Sequence, residues 1–103
     1  MFVEQRTCTL KPGTTPEYVR LYETEGLAIQ EPILGQLMGW YTTDFGPLNQ
    51  SIHVWGYDTY AEREHRRAAL NADYQWNNFV PKILPLVLRQ ENKTLIPAPW
   101  SPS

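Results

Sequence analysis

Residues 46–58, with the sequence GPLNQSIHVWGYD, decide which fold this chain is expected to adopt. The dipeptide Gly46-Pro47 is typical of a turn, and the residues that follow alternate as in a β-strand. One face of this strand carries Ile52, Val54 and Gly56, and we expect it to pack in a core. The other face carries polar and aromatic residues, namely Ser51, His53, Trp55 and Tyr57. We expect that second face to point away from the helices, into a half-wet pocket or an interface.

The chain before this strand predicts one strand and one helix. Residues 2–10 alternate as a strand, and the turn at 11–13 ends it. Thr15-Pro16-Glu17 has the composition of a helix start, with a hydroxyl cap, proline at the first helical position and an acid in the first turn. Gly26 is the expected end of that helix. Because Pro32 interrupts the apolar residues 27–34, we expect a connecting segment there with about one helical turn.

The residues around and after the central strand predict a hairpin, a helical region and a last strand. Residues 35–43 alternate and should pair with the central strand as an antiparallel hairpin. Thr59 and Glu62 fit a capping box that begins a helix, and Asp73 is placed to cap a further helix. Residues 86–95 form the fourth predicted strand.

This β-α-β-β-α-β order predicts an α+β fold of the ferredoxin-like type. Helices would cover one face of a four-stranded antiparallel sheet, and the second face would be too aromatic to lie bare in water. Two copies packed sheet to sheet would cover it, so we predict a homodimer in the form of a dimeric α+β barrel. The proline-rich residues 97–103 are expected to form an extended tail that Trp100 anchors on folded protein, either its own subunit or the partner.

Composition excludes several classes of function. The 103 residues fit one domain, and a net charge of −2 without a block of like charges does not suit nucleic-acid binding. No apolar stretch is long enough to span a membrane, and no signal peptide is recognisable. The single cysteine, Cys8, rules out an internal disulfide and fits a small buried side chain. We therefore predict a cytoplasmic protein without a membrane partner.

His53 is the candidate catalytic residue, because its ordinary pKa lies near neutrality and it could move a proton. The alternative is a core histidine that is hydrogen-bonded to its surroundings. Glu4 and Arg6 share a strand face and could bind an anionic or carbonyl group. Arg89 and Glu91 repeat this pattern on the last strand, so a cross-strand charge ladder made of these four residues is the alternative interpretation.

The remaining candidate ligand-binding residues are the aromatic and hydroxyl side chains Trp40, Ser51, Trp55 and Tyr57. They could line an apolar ligand cavity or serve only to pack the barrel. No phosphate loop, nucleophile elbow or set of metal-ligating side chains with the required spacing is present in the sequence. We therefore predict no metal and no cofactor.

Four stretches resemble the NIPSNAP family, and together they extend over nearly the whole chain. They are RTCTLKPG at 6–13, GPLNQSIHVWGYD at 46–58, RRAAL at 66–70 and LIPAPW at 95–100. The resemblance implies one domain over residues 1–103 and a dimeric α+β barrel, without a settled activity. Related barrel families include small monooxygenases, haem-degrading enzymes and isomerases, whose chemistry would carry over only by analogy of fold.

Three functions therefore stay open at the level of sequence. The chain could bind a small, mainly hydrophobic or aromatic metabolite without changing it. It could be a cofactor-free enzyme, monooxygenase-like or isomerase-like, that uses His53 as acid and base. It could also be a structural homodimer that contacts larger partners and has no ligand. A pocket that reaches His53 would favour the first two functions over the third.

Overall fold

A computed structural model of the chain, which describes residues 1–102, confirms the predicted α+β fold with one four-stranded antiparallel sheet. The strands are β1 Phe2–Leu10, β2 Gln36–Thr42, β3 Gln50–Tyr57 and β4 Val87–Leu95. They lie in the order β2-β3-β1-β4, so the first strand is central and the last is an edge.

The helices lie on one face of the sheet and are longer before β2 than the sequence predicted. Helix α1 covers Thr15–Leu21, a π-helical turn covers Tyr22–Gly26, and α2 covers Leu27–Leu34. The expected stop at Gly26 and the connecting segment at 27–34 are therefore wrong. Gly26 lies inside the π-turn, and a side chain has no room there because an added Cβ would come within 2.5 Å of the Phe79 ring.

The helices after β3 begin where the sequence places them. Helix α3 covers Tyr60–Ala72, and the amide of Glu62 donates to the Thr59 hydroxyl at its start. Helix α4 covers Tyr74–Ile83, and the Asp73 carboxylate accepts from the amide of Trp76. Both caps satisfy amides that have no partner within the helix, which explains why the two starts could be predicted from single residues.

The face of β3 that packs against the helices is not the one that the sequence analysis expected. Trp55 and Tyr57 pack in one core cluster with Leu34 of α2 and Leu70 of α3. Ser51 and His53, on the same face, are also buried. The expectation that these polar and aromatic side chains point away from the helices is therefore wrong. They lie between the sheet and the helices, where Trp55 donates to His53 and Ser51 accepts from Trp40.

The second face of the sheet has no helix over it. In β3 it carries Ile52 and Val54, which are only partly buried. The register places Val3 opposite Leu95 on this face, and Leu95 is exposed. The face therefore carries partly exposed apolar side chains at β3 and at one end of β1 and β4, beside polar and charged residues along the rest of β1 and β4.

The tail does not pack on its own subunit. Residues 96–102 contain neither helix nor strand, and Ile96 and Trp100 are each 85% exposed. An anchoring contact of Trp100 within the same chain is therefore excluded, and contact with a partner stays a prediction. Ser103 lies outside the described residues. Within residues 1–102, no helix is long and apolar enough to cross a membrane.

Candidate functional site

A cavity of about 180 Å³ lies between the sheet and the helices. Strand residues Arg6, Cys8 and His53 line it from the sheet side. The helices contribute Tyr18, Tyr22, Gln30, Trp76, Val80 and Ile83, and Leu84 and Gln90 complete the lining. We call it the inner cavity. Two of the predicted site residues, Arg6 and His53, thus meet in one place, although on the face of the sheet opposite to the one predicted for His53.

His53 is held by two tryptophans in a fixed orientation. The indole N–H of Trp55 donates to His53 Nδ1 at 2.7 Å. The ring of Trp40 stacks on the imidazole with centroids 4.2 Å apart and planes 11° apart. Because an indole nitrogen can only donate, Nδ1 accepts, and a neutral imidazole then carries its proton on Nε2. That Nε2–H is the donor that the ring can offer to an acceptor in the inner cavity.

The surroundings keep His53 neutral. Burial lowers its pKa to about 3, and the positive charges of Arg6 and Arg67 act in the same direction. At neutral pH the residue is therefore a hydrogen-bond donor through Nε2 and a very weak base. Proton transfer by His53 near neutrality does not fit this environment.

Arg6 supplies the positive charge of the inner cavity. Its Nε donates to Asn92 Oδ1 on β4 at 2.8 Å, which fixes the guanidinium group beside the cavity. Burial lowers its pKa, and Arg67 acts in the same direction, but arginine stays charged under ordinary conditions. Arg6 and His53 therefore offer two donors to an oxygen of a bound molecule.

The helices add polar groups that the sequence did not single out. Gln30 is 2% exposed, and its Oε1 atom has no hydrogen-bond partner within residues 1–102. Tyr18 and Tyr22 have their pKa values raised by burial, so both phenols keep their protons. A glutamine in the apolar segment 27–34 is a signal that sequence analysis could have used, because a buried amide usually needs a partner.

A second cavity, of about 390 Å³, adjoins the first at Tyr22, which lines both. Its apolar walls come from Val19, Leu27, Leu37 and Trp40. The rest of the lining comes from Tyr41, Thr42 and Glu23. Glu23 is therefore the acidic residue of this lining. We call it the outer cavity. The rings of Tyr22 and Trp40 are in contact, with centroids 4.7 Å apart, and Trp40 in turn covers His53.

Three predicted site residues are buried near the site but do not line the inner cavity. Ser51 is fully buried, and its Oγ accepts from the indole N–H of Trp40 at 2.8 Å. Trp55 is also fully buried and holds Nδ1 of His53. Tyr57 is buried, and its hydroxyl has no hydrogen-bond partner within residues 1–102. These residues fix the position of His53 and Trp40 or pack the core, and they do not line the inner cavity.

Glu4 is held in an ion-pair cluster with helix α3. Its carboxylate, which is 1% exposed, pairs with Arg63 at 2.5 Å and with Arg67 at 2.8 Å. Burial alone would raise the pKa of Glu4, but the hydrogen bonds and charges of Arg67 and Arg63 lower it overall. Glu4 therefore ties β1 to α3, and its oxygens are already occupied.

Arg89 lies away from the cavity. It is opposite Thr9 in the register, on the face of the sheet without helices, and it pairs with Glu91. Glu4 and Arg6 lie on the other face, so the expected charge ladder of all four residues is not formed. Cys8 is buried as expected and accepts a weak hydrogen bond from the Gln90 amide. No group of three potential metal ligands occurs in the part of the chain that the structure describes.

The family of the chain follows from comparison with known sequences. The NIPSNAP family model matches residues 3–102. The chain belongs to the NIPSNAP family. Protein NipSnap homolog 3A of Homo sapiens is 31% identical over 102 residues, which cover 97% of this chain and 40% of that protein. The NIPSNAP-like chain thus spans about 40% of the length of this relative.

Solved structures show the same fold. A NIPSNAP family protein with unknown function from Agrobacterium tumefaciens is 43% identical with a TM-score of 0.98, over 99% of this chain and 92% of that chain. A NIPSNAP-like domain protein from Burkholderia xenovorans is 46% identical with a TM-score of 0.96, over 99% and 89% of the two chains. An antibiotic biosynthesis monooxygenase has a TM-score of 0.64 over 96% of this chain and 100% of that chain. At 11% identity, that likeness concerns the fold alone.

Proposed function

We propose that this NIPSNAP protein is a homodimeric barrel that binds a small molecule in the inner cavity. The observation that carries the proposal is the polar lining of a largely buried space. Arg6 and the Nε2–H of His53 offer donors, and the Gln30 carbonyl oxygen offers an acceptor without a protein partner. Buried polar groups normally find partners, so a ligand that supplies them would stabilise the site.

The size and chemistry of the inner cavity favour a compact acid or carbonyl compound. An apolar cavity of about 150 Å³ can hold benzene, and the inner cavity is of similar size, at about 180 Å³. The positive charge of Arg6 favours a carboxylate or another oxygen acceptor. Trp76, Val80 and Ile83 surround the remaining volume with apolar surface. This agrees with a mainly hydrophobic or aromatic metabolite.

Binding is favoured over acid–base catalysis by the state of His53. A general base acts best when its pKa lies near the working pH, and the pKa of His53 is about 3. The imidazole can hold an oxygen atom of a ligand, but it is a poor proton acceptor at neutral pH. An enzyme that uses His53 as acid and base is therefore the weaker proposal.

The second part of the proposal is the dimer. The sheet face that carries Ile52 and Val54 has no helix over it, and the tail presents Trp100 to solvent. Stable interfaces typically bury about 1,600 Å² in total, and their centres are apolar. A second copy packed on this face would cover the apolar side chains, and the tail would reach the partner.

Isothermal titration calorimetry with benzoate tests the binding proposal. We expect saturable binding to the wild-type protein and at least tenfold weaker binding to the Arg6→Gln variant, because the ligand loses its charged donor. Arg20→Gln is the matched control, since Arg20 is an exposed arginine on α1. Absence of binding to the wild type, or equal weakening by both substitutions, contradicts the proposal.

Sedimentation equilibrium tests the dimer. The wild-type protein should have twice the chain mass at micromolar concentration. Val54→Asp should shift it to the monomer, because a carboxylate would be buried in the interface. Ala69→Asp, on the exposed side of α3, is the control and should stay dimeric. A monomeric wild-type protein would show that the open sheet face has no second copy on it.

A further inference from the structure

The two cavities suggest a ligand with two different ends. The inner cavity contains the cationic Arg6 and the donor of His53, whereas the walls of the outer cavity are mainly apolar. Tyr22 lines both cavities, and Trp40 lines the outer cavity and stacks on His53, which lines the inner one. The outer cavity has about twice the volume of the inner one, at about 390 Å³ against about 180 Å³. A molecule confined to the inner cavity would leave this larger apolar surface unused.

We propose that the ligand is a linear amphipathic acid, with its carboxylate at Arg6 and His53 and its hydrocarbon chain in the outer cavity. This inference rests on the proposed function, since it assigns a chemical class to the molecule bound there. The chain would pass the contact between Tyr22 and Trp40, with its first carbons in the inner cavity and its later carbons against Val19, Leu27 and Leu37.

The charges at the two cavities set the orientation of this ligand. Arg6 lies at the inner cavity and attracts a carboxylate, whereas Glu23 lies at the outer cavity and repels one. The reversed orientation would place the acid beside Glu23 and an apolar chain end beside the guanidinium of Arg6. Both placements are unfavourable, so the acid belongs in the inner cavity.

The local backbone fits the passage of a chain at Tyr22. Tyr22 is the first residue of the π-turn Tyr22–Gly26. π-turns inside helices are frequently found at functional sites. The Tyr22 ring contacts the rings of Trp40, Trp76 and Phe79, with centroids 4.7, 6.4 and 5.2 Å away. A hydrocarbon chain that passes Tyr22 would therefore run along aromatic surface.

Calorimetry with the straight-chain acids butanoate, hexanoate, octanoate and decanoate, kept below micelle-forming concentrations, tests the inference. Each methylene that reaches the outer cavity should tighten binding by up to about fourfold. Decylamine, which has the same chain and an ammonium group, should bind at least tenfold more weakly than decanoate. Val19→Asn should weaken octanoate binding and leave butanoate binding unchanged. Ala28→Asn, at an exposed residue of α2, is the control and should change neither.

The outcomes separate this inference from the proposed function. If benzoate or butanoate binds and the longer acids bind no more tightly, the outer cavity is not part of the site and only this inference is overturned. Equal binding of decylamine and decanoate overturns the assigned orientation. If no acid binds at all, the inference and the proposed function are both overturned. A circular dichroism spectrum of each variant establishes that the variant is folded.

Discussion

Acidification should destabilise this protein through His53 before its carboxylates titrate. The folded-state pKa of His53 is about 3, well below its ordinary value of 6.5, because the ring is buried and lies near two arginines. In the unfolded chain the same imidazole takes up a proton near pH 6.5. The contribution of the neutral folded imidazole to stability is therefore complete above pH 6.5 and is lost as the pH falls towards 3.

The size of the effect follows from the difference between the two pKa values. At pH 5 the unfolded chain has bound nearly a full proton at this position, while the folded chain has bound almost none. Proton linkage then lowers the free energy of unfolding by about 2 kcal/mol between pH 7.5 and pH 5 from His53 alone. His53→Asn removes the titrating group, so this part of the pH dependence should disappear.

Urea unfolding at pH 7.5, 6 and 5, at a fixed protein concentration, measures this contribution. The wild type should lose about 2 kcal/mol more than His53→Asn over this range. His65→Asn replaces the exposed histidine of α3 and should follow the wild-type curve. If wild type and His53→Asn have parallel pH dependences, then His53 is protonated or solvated in the folded protein, and the argument for a neutral donor fails.

Three further substitutions or truncations give separate tests of the packing. Glu4→Gln should lower the free energy of unfolding by about 3 kcal/mol in a denaturant titration at pH 7, since it leaves Arg67 buried without a counter-charge; a change below 1 kcal/mol would show that the cluster adds little. Gly26→Ala should destabilise the protein by about 1–3 kcal/mol in the same assay, because the new methyl group meets Phe79, and an unchanged midpoint would show that the ring moves freely. Removal of residues 97–103 should lower the melting temperature if Trp100 packs on a partner, whereas an identical melting curve would show that the tail makes no stabilising contact.

The sequence predicted the elements whose causes are local. The caps at Thr59 and Asp73 are formed by side chains three residues from the amides that they bind. The alternation in β1 and β3 is also local, and both strands have the expected extent to within a residue or two. The π-turn was missed because glycine is also the residue that most often ends a helix, and Gly26 was interpreted in that way. Its role depends on the ring of Phe79, which is 53 positions further along the chain.

The site was predicted in its residues but not in its position. Alternation separates the two faces of a strand and does not say which face the helices cover. From the sequence, this face was expected to point away from the helices because the polar atoms of Ser51 and His53 appeared too costly to bury. Hydrogen bonds from Trp40 and Trp55 offset that cost, and these pairs could not be seen without the register of β2 and β3. The bulge at Met38, which places Trp40 beside His53, also leaves no clear sign in the sequence.

The π-turn sets the rotational phase of everything that follows it in the first helical layer. Each residue of an α-helix advances the chain by about 100° around the axis, and a π-turn accommodates one residue more than a regular helical path of the same length. A chain that lacked one residue between Tyr22 and Gly26 could close this stretch as a regular α-helix, and α2 would keep its rotation about the helix axis. Gln30 would then stay at the inner cavity. The π-turn therefore lets the first helical layer differ by one residue in length while the side chains of α2 keep their places against the sheet.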